Sequence, residues 1–363
     1  MIEALDRSFD ITAPTLREAF GDRLDHASAR RFGVPSWASP PRHVRPLQER
    51  AQALEDRHSP DVVVVAHAST LARLEGVAWR APLVVDAYDL LWTQVRRRAG
   101  RRWPGRLRAM LREGLARRYE LRLLSRARLV WVCSTLDARR LASAGFSGQA
   151  VVTGRPSVVV VPNVAPPPAA TTAVPSTRAR PPTALFVGTM GYHANRSGIR
   201  WFAEEIWPRV RERLPTARCR IVGRWPAWSP PPATLDQPGL EVAGFVDELA
   251  PEWRGADVFV CPLRVGSGTR IKILEAWSQR LAVVSTSVGA EGLIEPSDGG
   301  ADGPPALLAD DPEAFAEATV RVLAEADLAK AVAAAGHRLW RDRYTPEVAA
   351  SAAAASIDRL LGC

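Results

Sequence analysis

The segment CPLRVGSGTRIKILEAWSQRLAVVSTSVGAEGL, Cys261–Leu293, decides the fold of this chain. An apolar run ends at Cys261, a glycine-rich loop follows, and the residues after Thr269 have the composition of a helix. A second apolar run, Leu281–Val288, leads into another loop that contains glycines. Strand, loop, helix and strand in this order predict a parallel α/β domain.

The first loop combines groups that suit an anion. The glycines of Gly266-Ser267-Gly268 let the backbone bend closely, and Thr269 is predicted to cap a helix. The N-terminus of a helix attracts anions through its free N–H groups and its partial positive charge. Arg270 and Lys272 lie in the first turn, where cations disfavour the helix unless a phosphate is their neighbour. Glu275, one turn further on, could accept hydrogen bonds from two ribose hydroxyls, so the segment predicts a nucleotide diphosphate site.

A plainer interpretation stays open. Lys272 and Glu275 have the spacing of a surface pair that contributes ~0.2–0.5 kcal/mol, and the glycines would then serve only a tight turn. The chain has 48 basic residues, but its only lysines are Lys272 and Lys330. A lysine in this loop weakly favours a compact point charge for a phosphate.

Cys261–Leu293 resembles the donor-binding segment of glycosyltransferase family 4, and most of all its bacterial members with Gly-x-Gly-Thr-Arg-x-Lys-x-x-Glu-Ala. The likeness covers roughly residues 60–345. Ala184–Met190 resembles the first strand of the family's second domain, and Arg220–Arg224 resembles the next strand. The resemblance implies an α/β protein of the GT-B fold, in which two Rossmann-like domains face a cleft and the second domain binds a nucleotide-sugar donor.

The resemblance also assigns the donor-binding residues, which lie at strand ends and in loops of the second domain. They are Gly188, Asn195, Arg224, Gly266, Ser267, Gly268, Thr269, Arg270, Lys272, Glu275, Glu291 and Gly292. No cofactor is expected, because the nucleotide sugar is itself a substrate. No metal is expected either, because no His, Cys or Asp cluster has the spacing of metal ligands.

Polar side chains follow the strands predicted for the first domain. His67 follows Asp61–Val65, Asp86 and Asp89 follow Leu83–Val85, and Ser134 follows Leu129–Cys133. Ligands of open parallel sheets bind at the carboxyl ends of the strands. The resemblance implies that His67 and Asp89 are the catalytic residues, because the family often places a histidine and an acidic residue at these two positions. Alternatively, the histidine is a hydrogen-bonded structural residue, and Asp86 caps a turn.

Three departures from the family pattern affect these expectations. Ser267 stands where many members have the first of two glutamates. Thr189 and Asn195 stand where many have arginine and lysine, so Arg270 and Lys272 are expected to carry the diphosphate. Residues 1–60 show no strand followed by a glycine-rich loop, so the opening of the first domain is expected to be truncated, mispredicted or divergent.

The predicted organisation has four parts. Residues 1–164 form the acceptor-side domain, and residues 165–182 form a proline-rich linker that cannot sustain a helix. Residues 183–345 form the donor domain, with strands near 184–188, 219–222, 240–245, 257–261 and 281–286. Residues 346–363 form a terminal helix that crosses back, and the helical stretch from Asp311 is expected to break near Thr345.

The positive charge is concentrated in residues 96–128. This segment holds thirteen arginines and two glutamates, so it carries +11 in a chain whose net charge is +9. Apolar residues recur every four positions and predict an amphipathic helix packed on the sheet; they are Leu107, Leu111, Leu115, Tyr119 and Leu123. The arginines are then a solvated face, or they attract an anionic membrane leaflet or a lipid pyrophosphate acceptor. Nucleic acid is not expected, because no known binding module accompanies the segment.

These observations together predict a metal-independent glycosyltransferase, and the family resemblance implies that it retains the anomeric configuration. It would move a sugar from a nucleotide-diphospho-sugar to a glycan or lipid-linked acceptor, in the synthesis of a cell-surface polysaccharide or glycoconjugate. A catalytically inactive binding protein of the same fold and a sugar-nucleotide epimerase are the alternatives. The start of the chain lacks the features of a signal peptide and the cysteines lack CxxC spacing. We therefore expect a cytoplasmic protein, with attachment to the inner face of the membrane left open.

Overall fold

A computed structural model describes residues 45–97, 103–146, 157–168, 180–299 and 303–362. The chain divides into two compact units. The first comprises Met1–Pro162 and Ala349–Cys363, and the second comprises Asn163–Val348. The described residues include only a small part of residues 1–60, where the family's first strand was expected. They also include only a small part of the predicted linker 165–182.

The first unit contains a parallel sheet whose strands run in chain order, β1-β2-β3-β4. Their bounds are Val63–Ala66, Leu83–Asp86, Leu129–Val132 and Ser157–Val160. The three strands predicted for this unit are present, with ends shifted by one or two residues. We did not predict β4, which lies at the edge of the sheet beside β3.

Within the described residues that precede the second unit, the helices of this unit are α1 Arg45–His58, α2 Ala68–Arg73, α3 Trp92–Arg97, α4 Trp103–Leu124 and α5 Thr135–Ser143. Leu71 of α2, and Leu123 and Leu124 of α4, are fully buried in its core. Glu120 of α4 is also buried, and its carboxylate accepts hydrogen bonds from the backbone N–H groups of Leu91 and Trp92, both 3.1 Å long. Helix α4 thereby holds the start of α3 in place.

The predicted packing of α4 is wrong at its N-terminal half. Leu123 is buried, but the side chains of Leu111 and Leu115 are 63% and 67% exposed. A helix has 3.6 residues per turn, so a spacing of four advances about 40° around the axis at each step. Leu111, three steps before Leu123, therefore lies about 120° away from the buried face.

The second unit contains a six-stranded parallel sheet in the order β10-β9-β8-β5-β6-β7. In chain order the strands are β5 Thr183–Val187, β6 Arg218–Val222, β7 Leu240–Gly244, β8 Val258–Cys261, β9 Ala282–Ser285 and β10 Leu307–Leu308. All five strands predicted for this domain are present, and the short β10 is an addition. Both neighbours of β5 follow it in the sequence, so the chain reverses its direction of progress across the sheet at β5.

The helices of this unit surround the sheet. They are α6 His193–Trp201, α7 Trp207–Arg213, α8 Ala250–Arg254, α9 Ile271–Ser278, α10 Pro312–Ala324 and α11 Ala326–Arg343. A π-helical turn, Phe202–Ile206, joins α6 to α7. Fully buried aromatic side chains fill the core, among them Phe186, Trp207, Phe259 and Trp277. The predicted helical stretch breaks at Glu325 as well as near Thr345, because Glu325 leaves helical geometry.

The last helix, α12 Pro346–Leu361, is counted with the first unit from Ala349 onwards. The indole Nε1 of Trp131, in β3, donates a 2.9 Å hydrogen bond to Oγ of Ser356. Both side chains are buried. The C-terminal residues therefore complete the packing around the first sheet.

Candidate functional site

The candidate site of the second unit lies where the strand order reverses. Strand β5 pairs with β6 on one side and with β8 on the other. The connections leaving β5 and β8 therefore diverge, and in open parallel sheets this divergence opens a crevice at the carboxyl ends of the strands. The loop after β5 begins at Gly188, and the loop after β8 contains Gly266, Gly268 and Arg270.

The loop after β8 needs its glycines. Gly266 and Gly268 have φ angles of 133° and 66°, a region that other residues rarely adopt. A Cβ atom on Gly266 would also lie 2.5 Å from Nη2 of Arg270. The two glycines thus let the loop fold tightly around the arginine.

The prediction that Thr269 caps the helix is wrong. Helix α9 begins at Ile271, and its N-cap residue is Arg270, which has φ −92° and ψ 97° and makes no side-chain cap hydrogen bond. Oγ1 of Thr269 instead accepts a 2.8 Å hydrogen bond from Nδ2 of Asn163. A contact with a residue about a hundred positions earlier therefore determines the role of Thr269.

Arg270 is buried within this loop, with 7% of its surface exposed. Its Nη1 donates to the backbone carbonyls of Ser267 and Gly268. Its Nε and Nη2, and Oγ of Ser267, are buried without a hydrogen-bond partner in the described part of the chain. A buried unpaired polar group costs ~1–3 kcal/mol, so this cluster of donors suits an acceptor supplied by a ligand.

Lys272 lies across the crevice from the end of β5. Its Nζ donates a 2.8 Å hydrogen bond to Oδ1 of Asn195, and it lies 4.4 Å from the centroid of the Phe186 ring. The pKa of this lysine is lowered to about 8, chiefly by burial and also by the charge of Arg270, whereas Cys261 and Glu275 oppose the shift. An ammonium with so little solvation gains more than an exposed one from an arriving anion.

Gly188 leaves room for this lysine. A Cβ atom there would lie 2.5 Å from Nζ of Lys272 and 2.8 Å from Nδ2 of Asn195. The same Nδ2 donates to the backbone carbonyl of Thr189 at 2.8 Å. Gly188 and Asn195 therefore form one unit with Lys272, which lies 77 positions after Asn195.

Glu275 lies one turn beyond Lys272 on α9 and is largely buried. Burial raises the pKa of its carboxyl group, and the nearby Lys272 ammonium partly offsets the rise. A carboxylate whose charge is poorly solvated is ready to accept hydrogen bonds from hydroxyl groups.

The remaining predicted donor residues lie at the same edge of the sheet. The backbone N–H of Met190 donates to the carbonyl of Arg224, but the guanidinium of Arg224 lies over the Phe245 ring, 4.6 Å from its centroid. Glu291 and Gly292 follow β9, and Gly292 has a φ of 76°. Hydrogen bonds from Thr286 to Cys261 and Leu263 join this loop to the loop after β8.

The first unit brings the two predicted catalytic residues together. His67 follows β1 with a φ of 73°, its ring lies 5.1 Å from that of Tyr88, and the charge of Asp89 raises its pKa. Burial has the larger effect and lowers the pKa of His67 overall. Nδ1 of His67 accepts from the backbone N–H of Ser69 at 3.1 Å and caps α2, so the alternative structural role is also present.

The other polar residues at these strand ends have different surroundings. Burial raises the pKa of Asp86 to about 6, and its backbone carbonyl accepts from the N–H of His67 at 2.8 Å. Ser134 is the N-cap of α5, where its Oγ accepts from the N–H of Asp137 and donates to the Asp137 carboxylate. Ser134 therefore serves the helix. In the described ranges, no group of three or more His, Cys, Asp or Glu side chains could hold a metal ion.

Sequence reasoning missed several neighbours of the site. Asn163 holds Thr269, Phe186 lies under the Lys272 ammonium, and the Tyr192 hydroxyl lies 3.4 Å from where a Cβ of Gly266 would be. Trp228, which is 71% exposed, is stacked with the Arg196 guanidinium at 4.7 Å. A tryptophan in a proline-rich segment was the one sign in the sequence of these neighbours. The other contacts join residues that only the tertiary structure brings together.

Comparison with known proteins agrees with this geometry. Residues 181–325, which contain the candidate site, match the family described as "Glycosyl transferases group 1". A protein of Klebsiella pneumoniae described as "Uncharacterized 44.6 kDa protein in cps region" is 28% identical over 117 residues. That alignment covers 30% of each chain, so this chain spans less than a third of the relative it matches.

Solved structures resemble the chain over most of its length. Sucrose-phosphate synthase from Thermosynechococcus elongatus has a TM-score of 0.66 at 17% identity, over 88% of this chain and 78% of that one. Anabaena HepE in complex with UDP and glucose has a TM-score of 0.59 at 16% identity, over 86% and 81%. TarM of S. aureus, in a complex that contains UDP, has a TM-score of 0.63 at 10% identity, over 88% and 59%. The chain therefore has the predicted α/β architecture of the GT-B fold.

Proposed function

We propose that the protein is a glycosyltransferase that moves a sugar from a nucleotide-diphospho-sugar to a glycan or lipid-linked acceptor. The observation that carries the proposal is the cluster of buried, unpaired polar atoms on Ser267 and Arg270 beside the poorly solvated ammonium of Lys272. The match of residues 181–325 to a glycosyltransferase family supports the same assignment, as do the UDP complexes of two structural neighbours.

The donor diphosphate would bind at the loop Gly266–Gly268 and the N-terminus of α9. Arg270 and Lys272 bring two positive charges to this point; Arg270 is buried and Lys272 is half-buried. Charges that are fixed in place before the reaction stabilise the negative charge that develops on a leaving group. Since these side chains already supply that stabilisation, metal independence is part of the proposal.

Glu275 would hold the ribose. It lies one helical turn from Lys272, on the same helix that begins at the proposed diphosphate site. Its carboxylate accepts hydrogen bonds and cannot donate them while ionised, so it suits two vicinal hydroxyl groups. Retention of anomeric configuration is proposed from the family resemblance alone.

His67 and Asp89 are the proposed catalytic residues for the acceptor hydroxyl. Their electrostatic coupling and the unusual backbone angle of His67 favour a role in catalysis, since strained backbone occurs preferentially at functional sites. The match to a protein of a cps region favours an acceptor in cell-surface polysaccharide synthesis. A cytoplasmic location belongs to the same proposal.

The experiment measures binding of UDP, GDP and ADP by calorimetry, followed by release of nucleoside diphosphate from the corresponding sugar nucleotides. We expect one nucleotide to bind and Lys272→Ala and Glu275→Ala each to weaken it by at least about tenfold, the loss of one charge-assisted hydrogen bond of ~1.5–3 kcal/mol. Lys330→Ala changes an exposed lysine elsewhere and is the matched control. Unchanged affinity in both site variants would remove the donor assignment.

Turnover separates the proposed function from its alternatives. A transferase releases the diphosphate at a rate that rises when an acceptor is added, and chelation of divalent cations leaves that rate unchanged. Nucleotide binding without turnover on any sugar in the panel would identify a binding protein. Conversion of the sugar nucleotide without an acceptor would identify an epimerase.

A further inference from the structure

We propose that the outward face of α4 between Met110 and Arg118 docks on an anionic lipid bilayer. Helix α4 packs on the first unit through Ala116, Glu120 and the two leucines at its C-terminal end, all of them buried. Residues on the opposite side of the helix face solvent. The proposal concerns this solvent-facing side and does not depend on the donor site.

The outward face carries an unusual concentration of apolar side chains. Met110, Leu111 and Leu115 are 60%, 63% and 67% exposed. The described residues include ten exposed large hydrophobic side chains, and three of them lie within these six positions. Exposed apolar residues that cluster in this way, and do not occur singly, mark an interaction surface.

Arginines lie among these apolar residues. Arg112, Arg117 and Arg118 are exposed, and helical geometry places Arg118 within about 20° of Leu111 around the axis. Glu120 is buried, and Glu113 lines a cavity beside α5 together with Arg117, so Arg112 and Arg118 carry the charge of the outward face. An interfacial helix has the same combination of a basic surface and inserted leucines.

The positive charge extends beyond α4. A cavity of about 360 Å³ beside the helix is lined by Arg117 and by Arg139 and Arg140 of α5, together with Glu113. One of these arginines, Arg140, is paired with Asp137 at 2.9 Å. Arginine side chains therefore continue from α4 onto α5 around this cavity.

The chemistry of the face selects a bilayer over other occupants. In a symmetric dimer the same patch meets itself, so the arginines of one copy would face those of the other. A nucleic acid would use the arginines but would leave the leucines and the methionine in water. An anionic bilayer satisfies both, because its headgroups pair with the arginines while its acyl boundary takes up the apolar side chains.

The test is sedimentation of the full chain with vesicles of phosphatidylcholine, alone or mixed equally with phosphatidylglycerol, without any nucleotide sugar. We expect binding to the anionic vesicles only, with loss at high salt. Each basic side chain near an anionic leaflet strengthens partitioning about fivefold. Arg112→Gln with Arg118→Gln should thus weaken binding about 25-fold, and Leu111→Ser with Leu115→Ser at least tenfold.

Matched variants with the same chemical changes elsewhere are the controls. Arg218→Gln with Arg254→Gln removes two exposed arginines of the second unit, and Leu308→Ser removes an exposed leucine there. These controls should bind as the wild type does. Circular dichroism and the unfolding midpoint should be unchanged in every variant, since all these positions are exposed.

Several outcomes would overturn the proposal. Equal loss in the α4 variants and in their controls would show that overall charge, and not this face, drives binding. Wild-type binding to neutral vesicles, or none to anionic ones, would contradict it directly. A dimer in sedimentation equilibrium that Leu111→Ser with Leu115→Ser dissociates would assign the face to a second copy. Because no nucleotide is present, failure here leaves the proposed transferase activity to be judged by its own assay.

Discussion

Lys272 is expected to titrate near pH 8 and to take up a proton when a nucleoside diphosphate binds. Its pKa is lowered from 10.5 to about 8, chiefly because burial removes water from the ammonium. Its partners in the free protein are a neutral amide oxygen of Asn195 and the face of an aromatic ring. An arriving diphosphate supplies the negative charge that the site lacks, so binding should raise the pKa again.

The size of the effect follows from this shift. At pH 7 about 90% of the Lys272 side chains are charged, and at pH 9 only about 10% are. If the complex has the ordinary lysine pKa of about 10.4, affinity for the diphosphate falls about tenfold between pH 7 and pH 9. The stability of the free protein also depends on this pKa. The unfolded chain holds this proton up to a higher pH, so the free energy of unfolding rises between about pH 8 and pH 10.5.

Carbon-13 labelling of lysine Cε gives a direct assay, because the chain has only two lysines, Lys272 and Lys330. Lys272→Arg identifies the Lys272 signal by its disappearance, and in the wild type that signal should move near pH 8. Calorimetry in two buffers of different ionisation enthalpy then counts the protons taken up with the nucleotide.

Two variants test the assignment of the pH dependence. Lys272→Arg keeps its charge at every pH, so any remaining nucleotide affinity should not change between pH 7 and pH 9. Lys330→Arg should retain the full dependence. A Lys272 signal that titrates above pH 10 in the free protein, or a wild-type affinity that is flat from pH 7 to pH 9, would refute this reasoning.

Three further predictions use other parts of the structure. Gly188→Ala should weaken nucleotide binding at least about tenfold in calorimetry, because its Cβ would lie 2.5 Å from the lysine ammonium; Gly299→Ala, which adds its methyl group to open space, should bind normally. Burial raises the pKa of Glu120 to about 8, so the folded state binds more protons than the unfolded state above about pH 4.5. The free energy of unfolding should therefore fall between about pH 4.5 and pH 8 in denaturant titrations, and Glu120→Gln should remove that fall. Ser356→Ala should lower the free energy of unfolding by ~1–3 kcal/mol, because it leaves the buried Trp131 indole N–H without a partner. In the double variant with Trp131→Phe this unpaired N–H is absent, so the two losses in free energy of unfolding should not add.

The succession of elements could be predicted from the sequence, because each strand is a local apolar run. Val84 and Val85 of β2, and Val283 and Val284 of β9, are fully buried, and strands buried on both faces have continuous apolar sequences. The glycine-rich loops at strand ends also predicted the position of the crevice, because a tight turn between strand and helix needs glycine. Patterns of this kind depend only on residues a few positions apart.

Helix α4 shows where local patterns fail. The four-residue spacing of its leucines correctly predicted a helix, but not which side of it meets the sheet. The buried side is chosen by neighbours such as Leu90 and Leu71, which are remote in sequence. The exposed leucines that follow from this choice could be recognised only in three dimensions.

The sequence by itself determined which chemical groups the candidate donor site contains: an arginine, a lysine, a glutamate and the glycines between them. The tertiary structure decided their states. It buried Arg270 with unpaired nitrogen atoms, and it joined Lys272 to Asn195, a residue 77 positions away. The pKa of a side chain depends on the water and the charges that surround it in the folded protein, and distant segments of the chain supply those surroundings.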